Sequence, residues 1–213
     1  MADTIERFSD RVENYIRYRP GYPPQVVEYL RTKHGLTPDH VVADIGCGTG
    51  VSSLQFLENG NRVIGVEPNA AMRSAALRLN SVHALFTCVD GTSESIPLPD
   101  SSVDLVVAAQ AFHWFEPEAT RAEFRRILKP GGRIALIWNE RQLDTTPFLI
   151  EYEQLLRRYA TDYDSVRHDR IDAAALTAFF GTAFEKATFP NVQVFDLEGL
   201  KGRMLSSSYM PAE

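Results

Sequence analysis

One segment constrains this 213-residue chain more than any other: Asp44-Ile45-Gly46-Cys47-Gly48-Thr49-Gly50. It follows a short β-branched run, His40–Ile45 (HVVADI), and precedes a helix-like stretch, Val51–Leu57. A glycine-rich turn between a buried strand and a helix lets the backbone approach a ligand and presents free N–H groups at the helix start. Dinucleotide-binding proteins place G-x-G-x-x-G there, to seat a pyrophosphate. This chain has G-x-G-x-G instead, with Val51 where the third glycine of that pattern falls and a carboxylate, Asp44, inside the loop. A carboxylate repels a pyrophosphate and attracts a cation. The loop therefore favours S-adenosylmethionine (SAM), with its sulfonium and ammonium groups, over NAD. A strand–helix turn without a ligand is the bland alternative.

The segments around the loop alternate between strand and helix patterns. Strands are predicted at His40–Ile45, Arg62–Val66, within Val82–Val89, at Val103–Ala109 and at Arg133–Trp138. Helices are predicted at Val51–Leu57, at Asn69–Leu79 with Asn69 as N-cap, and at Pro117–Leu128, with a turn at Lys129-Pro130-Gly131-Gly132. Val103–Ala109 is continuously apolar after Asp104, as in a strand covered on both faces. This order predicts an α/β, Rossmann-like fold: a mostly parallel sheet, right-handed crossovers and helices on both faces. Outside the core, helices are expected at Pro24–Lys33 (closed by Gly35), from Thr146-Pro147 through Tyr159, and from an Asp172 cap to Gly181. Phe184–Phe195 reads as a further strand. The whole is one domain, with an N-terminal cap (1–35), a cofactor core (36–139), a helical cover (140–180) and a strand region (181–213).

Composition narrows the function classes. Charged residues make up 23% of the chain and Asp+Glu outnumber Lys+Arg by 28 to 22. This is an ordinary globular composition. Its net charge of -6 does not attract phosphate backbones, which disfavours a nucleic-acid partner. The two cysteines, Cys47 and Cys88, form no C-x-x-C pair, so neither a metal nor a disulfide framework is indicated. No apolar run has the length of a bilayer span, and MADTIERFSDR lacks a signal-peptide core. The expected setting is cytoplasmic and reducing, without a membrane partner.

Further candidate ligands follow from strand ends. Glu67 closes the second strand, 21 positions after Gly46, where an acid can accept both hydroxyls of a ribose. Asp90-Gly91 closes the third: the carboxylate suits an adenine amino group and the next backbone a ring nitrogen. The same dipeptide also reads as an ordinary turn. Met72, early in the second helix, packs either on an adenine face or in the core.

VADIGCGTG, VIGVEPN, CVDGTSESIPLPDSSVDLVVAAQAFHWF and RILKPGG stand in this order. Together they resemble the class I SAM-dependent methyltransferases, most closely the type 11 group. YIRYRPGYP, QAFHWF and IALIWNER are similar to the trans-aconitate-methyltransferase-like proteins within it. The resemblance implies that Asp44, Gly46, Gly48 and Gly50 wrap the methionine part of SAM, Glu67 the ribose and Asp90 the adenine. It also implies that the backbone of Gln110 faces the methionine ammonium. Such proteins usually continue past SSSYMP with a helix and a last antiparallel strand. Here the chain stops before that strand, and a free sheet edge is expected unless a partner chain covers it.

Methyl transfer is an in-line displacement in which the protein contributes positioning and electrostatics. His113, just beyond the fourth strand, suits a base or an acceptor-orienting donor, and equally a brace for its own loop. Arg17 and Arg19 lie in an aromatic tail with Tyr15, Tyr18 and Tyr22, and Arg141 follows the fifth strand. Of these, Arg17 reads as a solvated charge, whereas Arg19 and Arg141 offer guanidinium forks that suit carboxylates. The expected reaction is O-methylation of an anionic small molecule. The alternatives are C- or N-methylation of a neutral or aromatic metabolite, SAM binding without transfer, and NAD-linked redox chemistry, which the loop spacing disfavours.

Overall fold

The computed structural model describes residues 16–161, 163, 171–207, 209 and 210. The N-terminal stretch through Tyr15, and His168, lie outside them. The expected alternation is present. In chain order the elements are α1 (Gln25–His34), β1 (Val41–Ile45), α2 (Val51–Glu58), β2 (Arg62–Val66), α3 (Ala70–Leu79), β3 (Phe86–Val89) and β4 (Val103–Ala109). Then follow α4 (Pro117–Ile127), β5 (Leu128–Ile137), α5 (Pro147–Tyr159), α6 (Ala173–Phe180) and α7 (Leu197–Leu205). The sheet order is β3-β2-β1-β4-β5, and every pairing is parallel. The order reverses at β1, which puts a crevice beyond the carboxyl ends of β1 and β4.

Alternating residues of the central strands feed two cores, one on each face. Val42, Val63, Leu105 and Val107 pack with Val27 of α1 and Phe56 of α2. Ala43, Ile45, Val106 and Ala108 pack on the other face with Phe124 and Ile127 of α4 and Phe179 of α6. Val103 joins the second group although it stands two residues before Leu105 of the first. A register shift between Val103 and Leu105 accounts for the change of face. A third, smaller cluster of Tyr152, Leu156 and Met210 joins α5 to the region after α7.

Helix starts follow the sequence signals. The Asn69 side chain accepts from the amides of Ala71 and Met72, Thr146 from Leu149, and Asp172 from Ala175. Gly35 and Gly181 close α1 and α6 in the left-handed conformation. No helix among the described residues is long and apolar enough to cross a membrane.

The third strand occupies Phe86–Val89 of the expected Val82–Val89 stretch, and Val82, at 85% exposure, buries too little to be held in the sheet. Two expectations need correction. Lys129–Gly132 is not a free turn between elements but lies inside β5. The register jumps there from Val103↔Leu128 to Leu105↔Arg133, and Gly131 (φ 82°) turns the excess chain. Phe184–Phe195 forms no strand, and Val192 and Val194 are 82% and 91% exposed. Its alternation has no neighbouring strand to pair with among the described residues, and a strand needs a ladder. The helix α7 that follows was not anticipated, because Gly199 and Gly202 argue against helix. Asp196 caps it, and Gly202 is needed where Tyr18 packs, since a Cβ there would lie 2.2 Å from the ring.

Candidate functional site

The loop after β1 is built on β2. The amides of Gly46 and Cys47 both donate to the carbonyl of Val66, at 2.8 and 3.3 Å, which folds the loop back across the sheet end. Gly46, Gly48 and Gly50 have φ of 69°, 56° and 79°, a region that strongly favours glycine. Their surroundings differ. A Cβ on Gly46 would meet Ala111 Cβ at 2.7 Å, and one on Gly50 would meet Asn80 Nδ2 at 2.5 Å. A Cβ on Gly48 would meet nothing within 4 Å among the described residues beyond its chain neighbours. Gly48 therefore borders open space where a ligand can lie against bare backbone, as the sequence predicts for a cofactor.

Two acids flank this space. Asp44 is fully buried; its Oδ2 accepts from Ser52 and Ser53 at 2.6 and 2.7 Å, and its Oδ1 has no hydrogen-bond partner among the described residues. Burial pushes its carboxyl up to about 6, against the lowering effect of the two serine hydroxyls. Glu67 accepts from the amide of Gly48 through Oε2 and from that of Asn69 through Oε1, both at 2.9 Å. Burial raises its pKa, although both amides and Arg73 pull it down. Each carboxylate oxygen has a second lone pair left for a ligand hydroxyl. The bare glycine edge, an orphaned buried carboxylate oxygen and a fixed acid beside them fit the cationic, ribose-bearing group that the loop chemistry predicted.

The remaining predicted residues fall at the same end of the sheet with different partners. Asp90 is exposed and 3.1 Å from Nη1 of Arg73, which also donates to the carbonyls of Glu67 and Pro68. Arg73 thus joins the ends of β2 and β3. The sequence reading missed it, although its place one turn into α3, between the acidic ends of β2 and β3, was a usable signal. Gly91 has a packing reason of its own, since a Cβ would lie 2.6 Å from Pro97. Met72 is buried at 4% exposure, among neighbours such as Ala75 and Ala76 on the inner face of α3. Gln110 holds the left-handed φ of 56°, unusual for a non-glycine residue; its amide donates to Ile137 and its Nε2 to the carbonyl of Asn139.

The candidate acceptor residues lie beyond β4 and β5. His113 is half-buried in a short 3₁₀ turn, Phe112–Trp114, with its ring 4.8 Å from that of Trp114. Arg141 Nη2 bonds Glu153 and, at 2.9 Å, Tyr163; its guanidinium lies 4.9 Å over the ring of Tyr152. Glu153 also takes Arg157 at 2.9 Å and the Tyr163 hydroxyl at 2.7 Å. Burial opposes its ionisation, but Tyr163 and Arg141 prevail and hold its pKa below the usual value. Arg19 is spent differently, with Nη2 on the carbonyl of Ser206 at 2.9 Å. Arg203, Arg141 and Arg19 all bear electrostatically on Tyr152, whose pKa burial nevertheless raises. Glu153, Tyr163 and Arg203 were not singled out in the sequence because they stand on the cover and on α7, where no motif marks them.

A doubly covered parallel sheet, a glycine loop over a buried acid and a second acid at the end of β2 are the arrangement of class I SAM-dependent methyltransferase domains, and the core of this chain is similar to that family. Residues 43–136 match the model of the family described as Methyltransferase domain. The uncharacterized methyltransferase Rv3342 of Mycobacterium tuberculosis is 36% identical over 164 residues, 77% of this chain and 63% of that protein. A methyltransferase-like protein of Schizosaccharomyces pombe, C25B8.10, is 32% identical over 168 residues, 78% of this chain and 64% of its own length. The chain thus spans less than two thirds of these relatives. Among solved structures, a candidate type II methyltransferase from Anaeromyxobacter dehalogenans superposes with a TM-score of 0.64 at 26% identity, covering 90% of this chain and 80% of the other.

Proposed function

We propose that this chain binds SAM and transfers its methyl group to an anionic small molecule, at a carboxylate oxygen. Bound SAM would supply an electrophilic methyl on a sulfonium centre. Asp44, Gly46, Gly48 and Gly50 hold the methionine part, Glu67 takes the ribose, and Asp90, Gly91, Met72 and Gln110 complete the cradle. Residues 36–139 make the core and 140–180 the cover of this one site.

One observation carries the choice of acceptor. The Nη1 of Arg141 is buried and has no hydrogen-bond partner among the described residues, while Nη2 is fixed by Glu153 and Tyr163. A buried charged donor left unmade is costly, and an acceptor carboxylate would satisfy it. Glu153 is shared between Arg141 and Arg157, so the cluster keeps a positive excess. Arg141 orients the acceptor; Arg19 adds field from the tail side. A carboxylate is ionised at neutral pH, its pKa being about 4, so no base is required, and His113 serves to orient.

The test is a panel of small mono-, di- and tricarboxylic acids offered with SAM, with release of S-adenosylhomocysteine as readout. Turnover on at least one acid is expected, lost about 10-fold or more in kcat/KM in Arg141→Ala and less in Arg19→Ala. Unchanged turnover on every accepted substrate in both variants would sink the anionic-acceptor reading.

A further inference from the structure

The only two cysteines of the chain meet at the cofactor loop. Cys47 lies inside the glycine loop and Cys88 on β3, with β2 between them, and their sulfurs are 3.6 Å apart. The contact exists because of Gly65. This β2 residue pairs with Cys88 in register, and a Cβ on it would lie 2.7 Å from Cys47 Sγ and 3.1 Å from Cys88 Sγ. The missing side chain is the space in which the two thiols touch. Cys47 reaches across because its own amide and that of Gly46 are anchored on Val66.

We infer that Cys47 and Cys88 form a reversible disulfide that ties the glycine loop to β3 and weakens cofactor binding. The affinity clause rests on the SAM reading above. Closing the bond brings the sulfurs from 3.6 Å to about 2.05 Å. The flanking glycines, Gly46 and Gly48, take up the movement. Gly48 also donates to Glu67, so the shift disturbs the acid assigned to the ribose.

The chemistry balances with a peroxide as oxidant. Cys88, half-buried, is the accessible sulfur and Cys47 the buried one. The Cys88 thiolate attacks hydrogen peroxide; an S–O bond forms, the O–O bond breaks, and hydroxide leaves and is protonated to water. Cys47 then attacks the sulfenic sulfur of Cys88; the S–S bond forms, the S–O bond breaks, and hydroxide departs with the Cys47 proton as a second water. Two thiols lose two electrons and one peroxide gains them. The hydrogen bond with Cys88, burial, and the carboxylates of Asp44 and Glu67 raise the Cys47 pKa, so its sulfur attacks only as it gives up its proton, which the departing hydroxide takes. Reduction by a dithiol restores the pair.

The experiment treats the whole chain with hydrogen peroxide and reads intact mass, a non-reducing peptide map and SAM affinity by calorimetry. The expected result is a loss of two hydrogen atoms, a peptide joining Cys47 to Cys88, and SAM affinity lowered about 10-fold and restored by dithiothreitol. Cys88→Ser is expected to bind SAM like the reduced protein and to keep that affinity after peroxide. Free thiols, sulfinic acid without a cross-link, or a cross-link that leaves affinity unchanged would each overturn the inference. Reduced protein that fails to bind SAM would overturn the cofactor reading and the affinity clause with it, while the mass still decides the cross-link.

Discussion

The amide of Gly48 donates to Oε2 of Glu67 across 2.9 Å, joining the loop after β1 to the end of β2. Glu67 therefore shapes the cofactor loop as well as facing its proposed ligand. Glu67→Gln keeps one acceptor oxygen where two amides need one each. SAM affinity is expected to fall at least about 10-fold, and stability by about 1–3 kcal/mol, because an amide N–H is left facing an NH₂ group. Calorimetry and thermal melting measure the two effects. A loss of affinity without any loss of stability would separate Glu67 from the loop.

Asp44 is expected to make SAM binding depend on pH. Its pKa is raised from 3.8 to about 6, chiefly by burial, so the ligand-free fold favours the neutral form. The sign follows: this contribution is fully present below about pH 4 and is lost as pH rises through about 6. It is worth about 3 kcal/mol at most. Relative to Asp44→Asn, the ligand-free protein should lose stability across that window. A cationic ligand reverses the preference and expels the proton. SAM affinity should therefore rise between about pH 5 and 7, with proton release detectable near pH 6 in buffers of different ionisation enthalpy. A flat profile with no proton release contradicts this role.

Two neighbouring glycines separate packing from binding. Gly46→Ala places a Cβ 2.7 Å from Ala111 Cβ at φ 69° and should lose both stability and SAM binding. Gly48→Ala meets no atom of the described residues within 4 Å beyond its chain neighbours and carries only the left-handed penalty, about 1–2 kcal/mol. Its methyl points into the ligand space, so binding should suffer far more than stability. Equal melting temperatures and equal affinities in the two variants would contradict the placement of the cofactor.

Glu153 tempers Arg141. Its pKa is held low, so its contribution to stability is present above the unfolded value of about 4.3 and is lost as pH falls through the depressed folded value. Glu153→Gln should lower the melting temperature, since a partly buried guanidinium loses its counter-charge, at a cost of about 1–2 kcal/mol given the exposure of both arginines. The same change should lower KM for a carboxylate acceptor several-fold. A raised KM would mean that Glu153, not Arg141, meets the acceptor.

The core was legible where local chemistry and tertiary need agree. DIGCGTG, the Asn69 cap and the apolar run of β4 each mark a position that the parallel sheet also requires. Legibility ended where the outcome depends on distant chain. Val192 and Val194 alternate like a strand, yet no ladder receives them. Gly202 speaks against a helix until Tyr18 is seen packed on it. The acids proposed for the cofactor site stand in motifs at strand ends, whereas Glu153 and Tyr163 gain their roles from partners 10 to 22 residues away. No short-range pattern records such pairings.

The most direct test of the central claim is calorimetric titration of the reduced protein with SAM, S-adenosylhomocysteine and NAD, repeated with Glu67→Ala. Saturable binding of both adenosyl ligands, absent for NAD and weakened by Glu67→Ala, is the predicted result. Binding of NAD, or of neither adenosyl ligand, would contradict it.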